Sequence, residues 1–203
     1  MHSTIRLATV TLGLATFVSA IGWFSYQNMV GSHNTIPTGM TPDQETALRS
    51  RGAYLMASMG CNDCHSPRDN TGKFIPGREF TGQPENAPSP TWDPSMLEKG
   101  NLMTMGPTGT SFAGPWGVSY AANITPDKET GIGNLTADGL IRSWRTGQHW
   151  KENRPILPVM PFEAFANLTD DDIRALHAFL MSLPPTKNRV PDPKIAPAPP
   201  AKG

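Results

Sequence analysis

Apolar and polar positions repeat with the period of an α-helix in three segments of the chain. The first helix is predicted over residues 42–59, the second over residues 137–146 and the third over residues 170–183. Threonine, a favoured N-cap residue, stands just before each of them: Thr41, Thr136 and Thr169. Pro42 at the first helical position and Gly147 after the second helix fit the same boundaries. The pattern therefore predicts three helices, each beginning after a threonine cap.

The N-terminus contains an uncharged run of 18 residues, Leu7–Phe24, which is about the length of a membrane-spanning helix. Arg6 precedes the run and no acidic residue appears before Asp43, so we expect a transmembrane helix that starts in the cytoplasm. Two interpretations stay open. Trp23 and its aromatic neighbours suit an uncleaved anchor, whereas the small residues at 18–20 resemble the cleavage site of a signal peptide.

These patterns divide the chain into four parts. Residues 1–27 are the anchor or signal peptide, 28–40 a polar tether, 41–185 a single domain and 186–203 a Pro-rich tail. The tail is predicted to be extended or disordered. Pro and Gly account for 19 of the 69 residues in 66–134, and an unstructured segment of that length is uncommon inside a domain. We therefore expect a bound group to organise it.

Charge argues against one class of partner. The chain carries 17 basic and 17 acidic residues, but residues 41–185 hold 12 Lys and Arg against 16 Asp and Glu. The tail carries four basic residues and one acidic residue. An acidic domain with a basic tail gives no support to nucleic-acid binding.

The stretch GCNDCHSP contains the only two cysteines, Cys61 and Cys64, and His65 follows them directly. A thioredoxin-like dithiol would follow a strand, but the preceding segment is predicted to be helical. A zinc site needs four ligands and no second Cys or His pair exists, while a disulfide would close only a small loop. Cys-x-x-Cys-His is the attachment signature of c-type haem. In that interpretation the thiols form thioethers with the haem and His65 is an axial iron ligand.

The second axial ligand is predicted to be Met160, because Pro158 and Pro161 stiffen its loop and a thioether opposite histidine suits an electron carrier. His177 lies on the third helix and is predicted to be a half-buried or surface histidine rather than a ligand. The remaining candidates for the second position are Met103, Met105 and His149.

Two groups of motifs carry a family resemblance. RGAYL before Cys-x-x-Cys-His, and the loop methionine before LTDDDIRALHAFLMSLPP, resemble a class I cytochrome c. GPWGVSYAANITPDKETGIGNLTADGLIRSWRTG followed by LPVMPFEAF is similar to the cytochrome c subunits and partners of bacterial membrane-bound alcohol, gluconate and aldehyde dehydrogenases. The resemblance covers about residues 50–185.

The resemblance implies an all-α fold in which long loops wrap one haem c and the first and last helices cross at Gly52. It assigns Cys61 and Cys64 to covalent haem attachment, and His65 and Met160 to the axial positions. The chain departs from those dehydrogenase subunits in two ways. It has one haem motif where they often carry three, and the stretch DPSMLEKGNLMTMGPTGTSF is longer than expected.

The function expected from these features is that of a membrane-tethered monohaem cytochrome, not itself an enzyme, on the periplasmic side of a bacterial cytoplasmic membrane. It would carry single electrons from a dehydrogenase or a quinol-oxidising (bc1-type) complex to a terminal oxidase or another cytochrome. A mobile shuttle and a fixed subunit of a larger complex both fit. The alternative is a haem enzyme or a gas or redox sensor with an exchangeable axial position.

Overall fold

The computed structural model of the protein describes residues 39–196. Within that range no helix is both long enough and apolar enough to cross a bilayer. The predicted anchor Leu7–Phe24 lies outside the described residues, as do most of the tether and the last part of the tail, 197–203.

The first helix, α1, spans Pro42–Ser58 and begins with a capping box. The Gln44 backbone N–H donates to Thr41 Oγ1 at 3.3 Å, and the Thr41 N–H donates to Gln44 Oε1 at 2.9 Å, so two otherwise unpaired donors at the helix start are satisfied. After Met59 and Gly60 the chain turns into the short helix α2, Cys61–His65. The cysteine pair therefore lies on a helix that directly follows α1.

Two further long helices match their predicted positions. The helix α4, Ala137–Thr146, ends at Gly147, which has the left-handed φ of 68° that glycine tolerates. The helix α6, Asp170–Met181, starts at Thr169, whose Oγ1 accepts from the Asp172 N–H at 3.1 Å. Two one-turn helices were not predicted: α3, Ser95–Glu98, and α5, Phe162–Phe165.

The helices α1 and α6 pack against each other at Gly52. A Cβ atom at this position would lie 2.0 Å from the carbonyl oxygen of Ala175, so only glycine permits the approach. The Arg51 guanidinium donates to Asp172 at 2.9 Å beside the crossing. The apolar core lies where α1, α4 and α6 meet: Leu55, Met56, Ile132, Leu135, Leu140, Trp144, Ile173, Leu176 and Leu180.

The expectation of an all-α fold is wrong for the Pro- and Gly-rich part of the chain. An antiparallel sheet of four short strands forms in the order β1-β2-β3-β4: Thr104–Met105, Ser111–Gly114, Gly117–Tyr120 and Lys194–Ile195. Strands of two to four residues are too short to show the alternation that predicts a strand. The last strand comes from the tail, which was predicted to be extended or disordered; Lys194–Ile195 instead pair with β3.

A buried glutamine organises the loops around this sheet. Gln83 is fully buried, and its Oε1 accepts from Thr110 Oγ1 at 2.6 Å and from Thr108 Oγ1 at 3.0 Å. The Gln83 N–H donates to the Ala121 carbonyl at 3.0 Å. Buried polar groups that pair with one another fix loop conformation much as a ladder of backbone bonds would.

Candidate functional site

A cavity of about 430 Å³ lies beside the core, within the size range of small-molecule and cofactor sites. Its walls come from the end of α1, from α2, from β2 and β3, from α4 and α6, and from the tail. Large apolar side chains make up much of the lining: Leu135, Leu140, Trp144, Leu176 and Leu180. The cavity also brings together four residues that the sequence singled out: Cys61, Cys64, His65 and Met160.

The imidazole of His65 is held as a neutral ring with one nitrogen available. Its Nδ1 lies 2.8 Å from the carbonyl oxygen of Ala122, and a carbonyl only accepts, so Nδ1 carries the hydrogen. Burial lowers the pKa of His65, and the bond to Ala122 offsets this only in part. The lone pair therefore remains on Nε2, the arrangement that metal-binding histidines adopt when a backbone carbonyl orients them.

The two thiols are separated by one helical turn of α2, are half-buried and form no disulfide. Burial raises the pKa of the Cys61 thiol to about 11. Burial, and then the charge of Asp63, raises the pKa of Cys64. Reactive dithiols need a lowered pKa, and the segment that leads directly into this pair is the helix α1 rather than a strand. The geometry therefore argues against a thioredoxin-like redox centre.

A zinc site has no further ligands to draw on. Across residues 39–196, no group of three or more His, Cys, Asp and Glu side chains is arranged to hold a metal ion. Since structural zinc takes four such ligands, the cysteine pair and His65 do not form one in this part of the chain.

Three methionines are candidates for the second ligand position: Met103, Met105 and Met160. Of these three, only Met160 lines the cavity. It is half-buried and packs against the core. Met103 and Met105 are 45% and 64% exposed and are not part of the cavity wall. Met56 and Met59 also line it, but both belong to the helical segment that leads into the cysteine pair.

His149 lines the same cavity, but its ring nitrogens are not free to bind a metal ion. The backbone N–H of Glu152 donates to its Nδ1 at 3.0 Å, so the hydrogen of the neutral ring is on Nε2. Burial lowers the pKa of His149, which favours this neutral form. Neither nitrogen keeps a free lone pair, whereas the thioether of Met160 needs no deprotonation to bind a metal.

The third histidine, His177, is half-buried as predicted. Its Nε2 lies 2.8 Å from the carbonyl oxygen of Leu135, so Nε2–H is the donor. It is absent from the cavity lining.

No protein-family model matches the sequence. Several curated proteins are similar to it in sequence. The chain is 31% identical over 153 residues to the cytochrome c subunit of the quinone-dependent alcohol dehydrogenase of Gluconobacter oxydans, an alignment that covers 74% of this chain and 25% of that protein. It is 31% identical over 135 residues to the gluconate 2-dehydrogenase cytochrome c subunit of Pantoea cypripedii, covering 66% and 23%.

A diheme c-type cytochrome of Cereibacter sphaeroides is 27% identical over 182 residues, covering 89% of this chain and 49% of its own length. The chain resembles c-type cytochromes, in particular the cytochrome subunits of bacterial dehydrogenases. It spans about a quarter of the length of the dehydrogenase subunits that it matches.

The donor set of the cavity agrees with the cytochrome resemblance. A neutral imidazole with a free Nε2 and a thioether are soft or borderline donors that suit iron. Both thiols are free of a disulfide and so remain available for attachment to a cofactor.

Several groups that form this site were not predicted from the sequence. The carbonyl of Ala122 orients His65, and Ser119 on β3 donates to the carbonyl of Pro158 in the Met160 loop. Residues 189–193 of the tail also line the cavity. Backbone carbonyls carry no sequence signal, and a Pro-rich tail is typical of linkers, so composition alone gave no indication of these roles.

Proposed function

We propose that the chain binds one haem c covalently through Cys61 and Cys64, with His65 and Met160 as the axial ligands of its iron. The observation that carries this proposal is the hydrogen bond from His65 Nδ1 to Ala122 O, because it leaves Nε2 free beside two unpaired thiols. The apolar walls of the cavity suit a large planar cofactor.

A single haem follows from the cysteine count. The chain contains two cysteines and one Cys-x-x-Cys-His motif, and each covalently attached haem c uses one such motif. A relative described as diheme is about twice as long as the segment that it shares with this chain. The additional haem sites of longer relatives therefore have no counterpart in these 203 residues.

When bound, the haem supplies one-electron oxidation and reduction at its iron. The residues of the chain supply ligation, orientation and burial. The Ala122 carbonyl fixes the ring of His65, and Met160 offers a neutral thioether that favours the ferrous state. Leu135, Trp144 and Leu176 give the cavity apolar walls.

We infer that the biological role is single-electron transfer rather than catalysis, with a dehydrogenase or a quinol-oxidising complex as donor and a terminal oxidase or another cytochrome as acceptor. Relatives that are named as cytochrome subunits of alcohol and gluconate dehydrogenases support this role. A fixed subunit and a mobile shuttle remain the two forms of the proposal. Isolation in mild detergent distinguishes them, because a fixed subunit co-elutes with its partners.

We also propose that Leu7–Phe24 tethers the protein to a bacterial cytoplasmic membrane with the haem domain on the periplasmic side. The support is the length of the uncharged run and the basic residue before it. Membrane fractionation and the mass of the mature chain test this. A mature N-terminus at Ile21 would instead indicate a cleaved signal peptide.

The covalent attachment is tested with a Cys61→Ala, Cys64→Ala double variant. The unaltered protein is expected to keep its haem on a denaturing gel stained for haem peroxidase activity, and the double variant to lose the band. Met103→Ala, at an exposed position away from the cavity, is the control and keeps the band. An equally strong band in the double variant would contradict the proposal.

A further inference from the structure

The tail is fastened to the domain at Asn188, which is 7% exposed. Its Nδ2 donates to the carbonyl oxygens of Thr81 at 2.8 Å and Gln83 at 2.9 Å. Its Oδ1 accepts from the Arg78 guanidinium at 3.0 Å. A buried amide with all three bonds made holds its segment firmly, since removing it leaves its partners unsatisfied.

A second attachment lies a few residues further along. Strand β4, Lys194–Ile195, pairs with β3, and the Ala196 N–H donates to the carbonyl oxygen of Trp116 at 2.9 Å. These two attachments lie beside the loop that follows α2 and at the edge of the sheet. Between them, an exposed ion pair joins Arg189 to Glu129 at 3.4 Å.

Residues 189–193 run between the two attachments, and all five line the cavity. Arg189 and Asp192 are exposed, whereas Val190, Pro191 and Pro193 are half-buried. The segment therefore has the cavity on one side and solvent on the other, and a single stretch of chain separates the two. We call residues 189–193 the strap.

We propose that the strap is the outer wall of the cofactor cavity and that Asn188 is the positioning residue that latches it, so that the strap keeps water and small external ligands away from the cofactor. This inference rests on the proposed haem. Water near a haem favours the more highly charged ferric state, so a closed strap raises the reduction potential. It also slows displacement of the Met160 thioether by a ligand from solution.

The experiment uses the full haem-loaded chain with the strap released at either end. Asn188→Ala removes the latch, and Ala196→Pro removes the N–H that binds Trp116. Asn70→Ala is the matched control, because it makes the same change at an exposed position outside the cavity lining. Three quantities are measured: amide hydrogen exchange at Val190 and Asp192, the rate of imidazole binding to the ferric protein, and the midpoint potential.

Both release variants are expected to exchange faster at the strap, to bind imidazole about tenfold faster or more, and to have a lower midpoint potential. Asn70→Ala is expected to match the unaltered protein. The strap is released at each end by a separate variant. If Asn188→Ala fails to fold, Ala196→Pro still tests the proposal.

Two results overturn the inference while leaving the proposed function intact. In one, the strap exchanges faster in both variants but imidazole binding and potential do not change, so it is not the wall. In the other, strap exchange is unchanged in both, so neither attachment holds it. Failure of the unaltered chain to bind haem covalently would be a separate result that removes the proposed function and the strap's role together.

Discussion

The hydroxyl group of Ser119 donates a hydrogen bond to the backbone carbonyl of Pro158, two residues before Met160. Ser119 is buried on β3, and the indole N–H of Trp116 donates to the same hydroxyl at 3.2 Å. The sheet thus holds the loop that carries the predicted thioether ligand. Thioether bonds to iron are weak, so support from the surrounding structure matters for keeping the ligand in place.

Ser119→Ala is expected to loosen the Met160 loop. Loss of the hydroxyl leaves buried polar partners unsatisfied and lowers the free energy of unfolding by about 1–3 kcal/mol. The weak absorption band of a thioether-bound ferric haem, at the red edge of the visible spectrum, should lose intensity. Denaturant unfolding and ferric spectra measure both effects. Ser50→Ala, at an exposed position of α1 outside the cavity, should not reduce either quantity; a full-intensity band in Ser119→Ala would show that the bond does not support the ligand.

Under the proposed function, Met160→Ala should abolish that band and leave the haem covalently attached, since Cys61 and Cys64 are the proposed attachment sites. The midpoint potential should fall, because water or hydroxide stabilises ferric iron better than a thioether does. Met103→Ala and Met105→Ala are the controls, because both side chains are exposed. If one of these two removes the band and Met160→Ala does not, the ligand assignment is wrong. A band already missing from the unaltered protein would favour an exchangeable axial position instead.

Gly52→Ala should destabilise the protein strongly. The new Cβ would lie 2.0 Å from the Ala175 carbonyl oxygen, so α1 and α6 must separate, at a cost of about 1–3 kcal/mol or more. Gly139→Ala is a matched control within α4, where the Cβ meets only the ends of the Leu135 and Thr136 side chains. Thermal unfolding of the two variants measures the contrast, and equal melting temperatures would mean that the crossing is not a tight constraint.

The stability of the fold should depend on pH through His177. Burial lowers the pKa of His177 below its ordinary value of 6.5. Below about pH 6.5 the unfolded chain therefore binds a proton that the folded protein resists, and the free energy of unfolding falls as the pH falls. His177→Gln removes this titration and keeps a donor for Leu135 O. Denaturant unfolding between about pH 7 and pH 5 should show a shallower loss of stability in the variant, and identical slopes would contradict the assignment.

The helices could be predicted from the sequence because their signals are local. Thr41, Thr136 and Thr169 each satisfy donors at the helix start that lie within three residues of them. The Cys61–His65 motif is local in the same sense. The prediction of Met160 rests on the prolines beside it and on the family resemblance, and the structure places Met160 at the same cavity as the motif.

The sheet and the tail could not be predicted, because their stabilising contacts join residues that are far apart in sequence. Lys194 pairs with Val118, and Asn188 bonds Thr81 and Gln83 more than a hundred residues away. Proline in the tail suggested an unpaired linker. A strand at the edge of a sheet needs only some of its N–H groups, so Pro-rich sequence on both sides of β4 is compatible with pairing.

The position of β4 along the chain has a consequence for the order of biosynthesis. A polypeptide emerges from its N-terminus onward, so Cys61 and Cys64 are made long before Lys194 and Ile195. During that interval one wall of the cavity does not yet exist, and a bulky planar group can reach the two thiols from that side. Under the proposed function, the last strand can close after the cofactor is attached, so that attachment does not require the folded protein to open again.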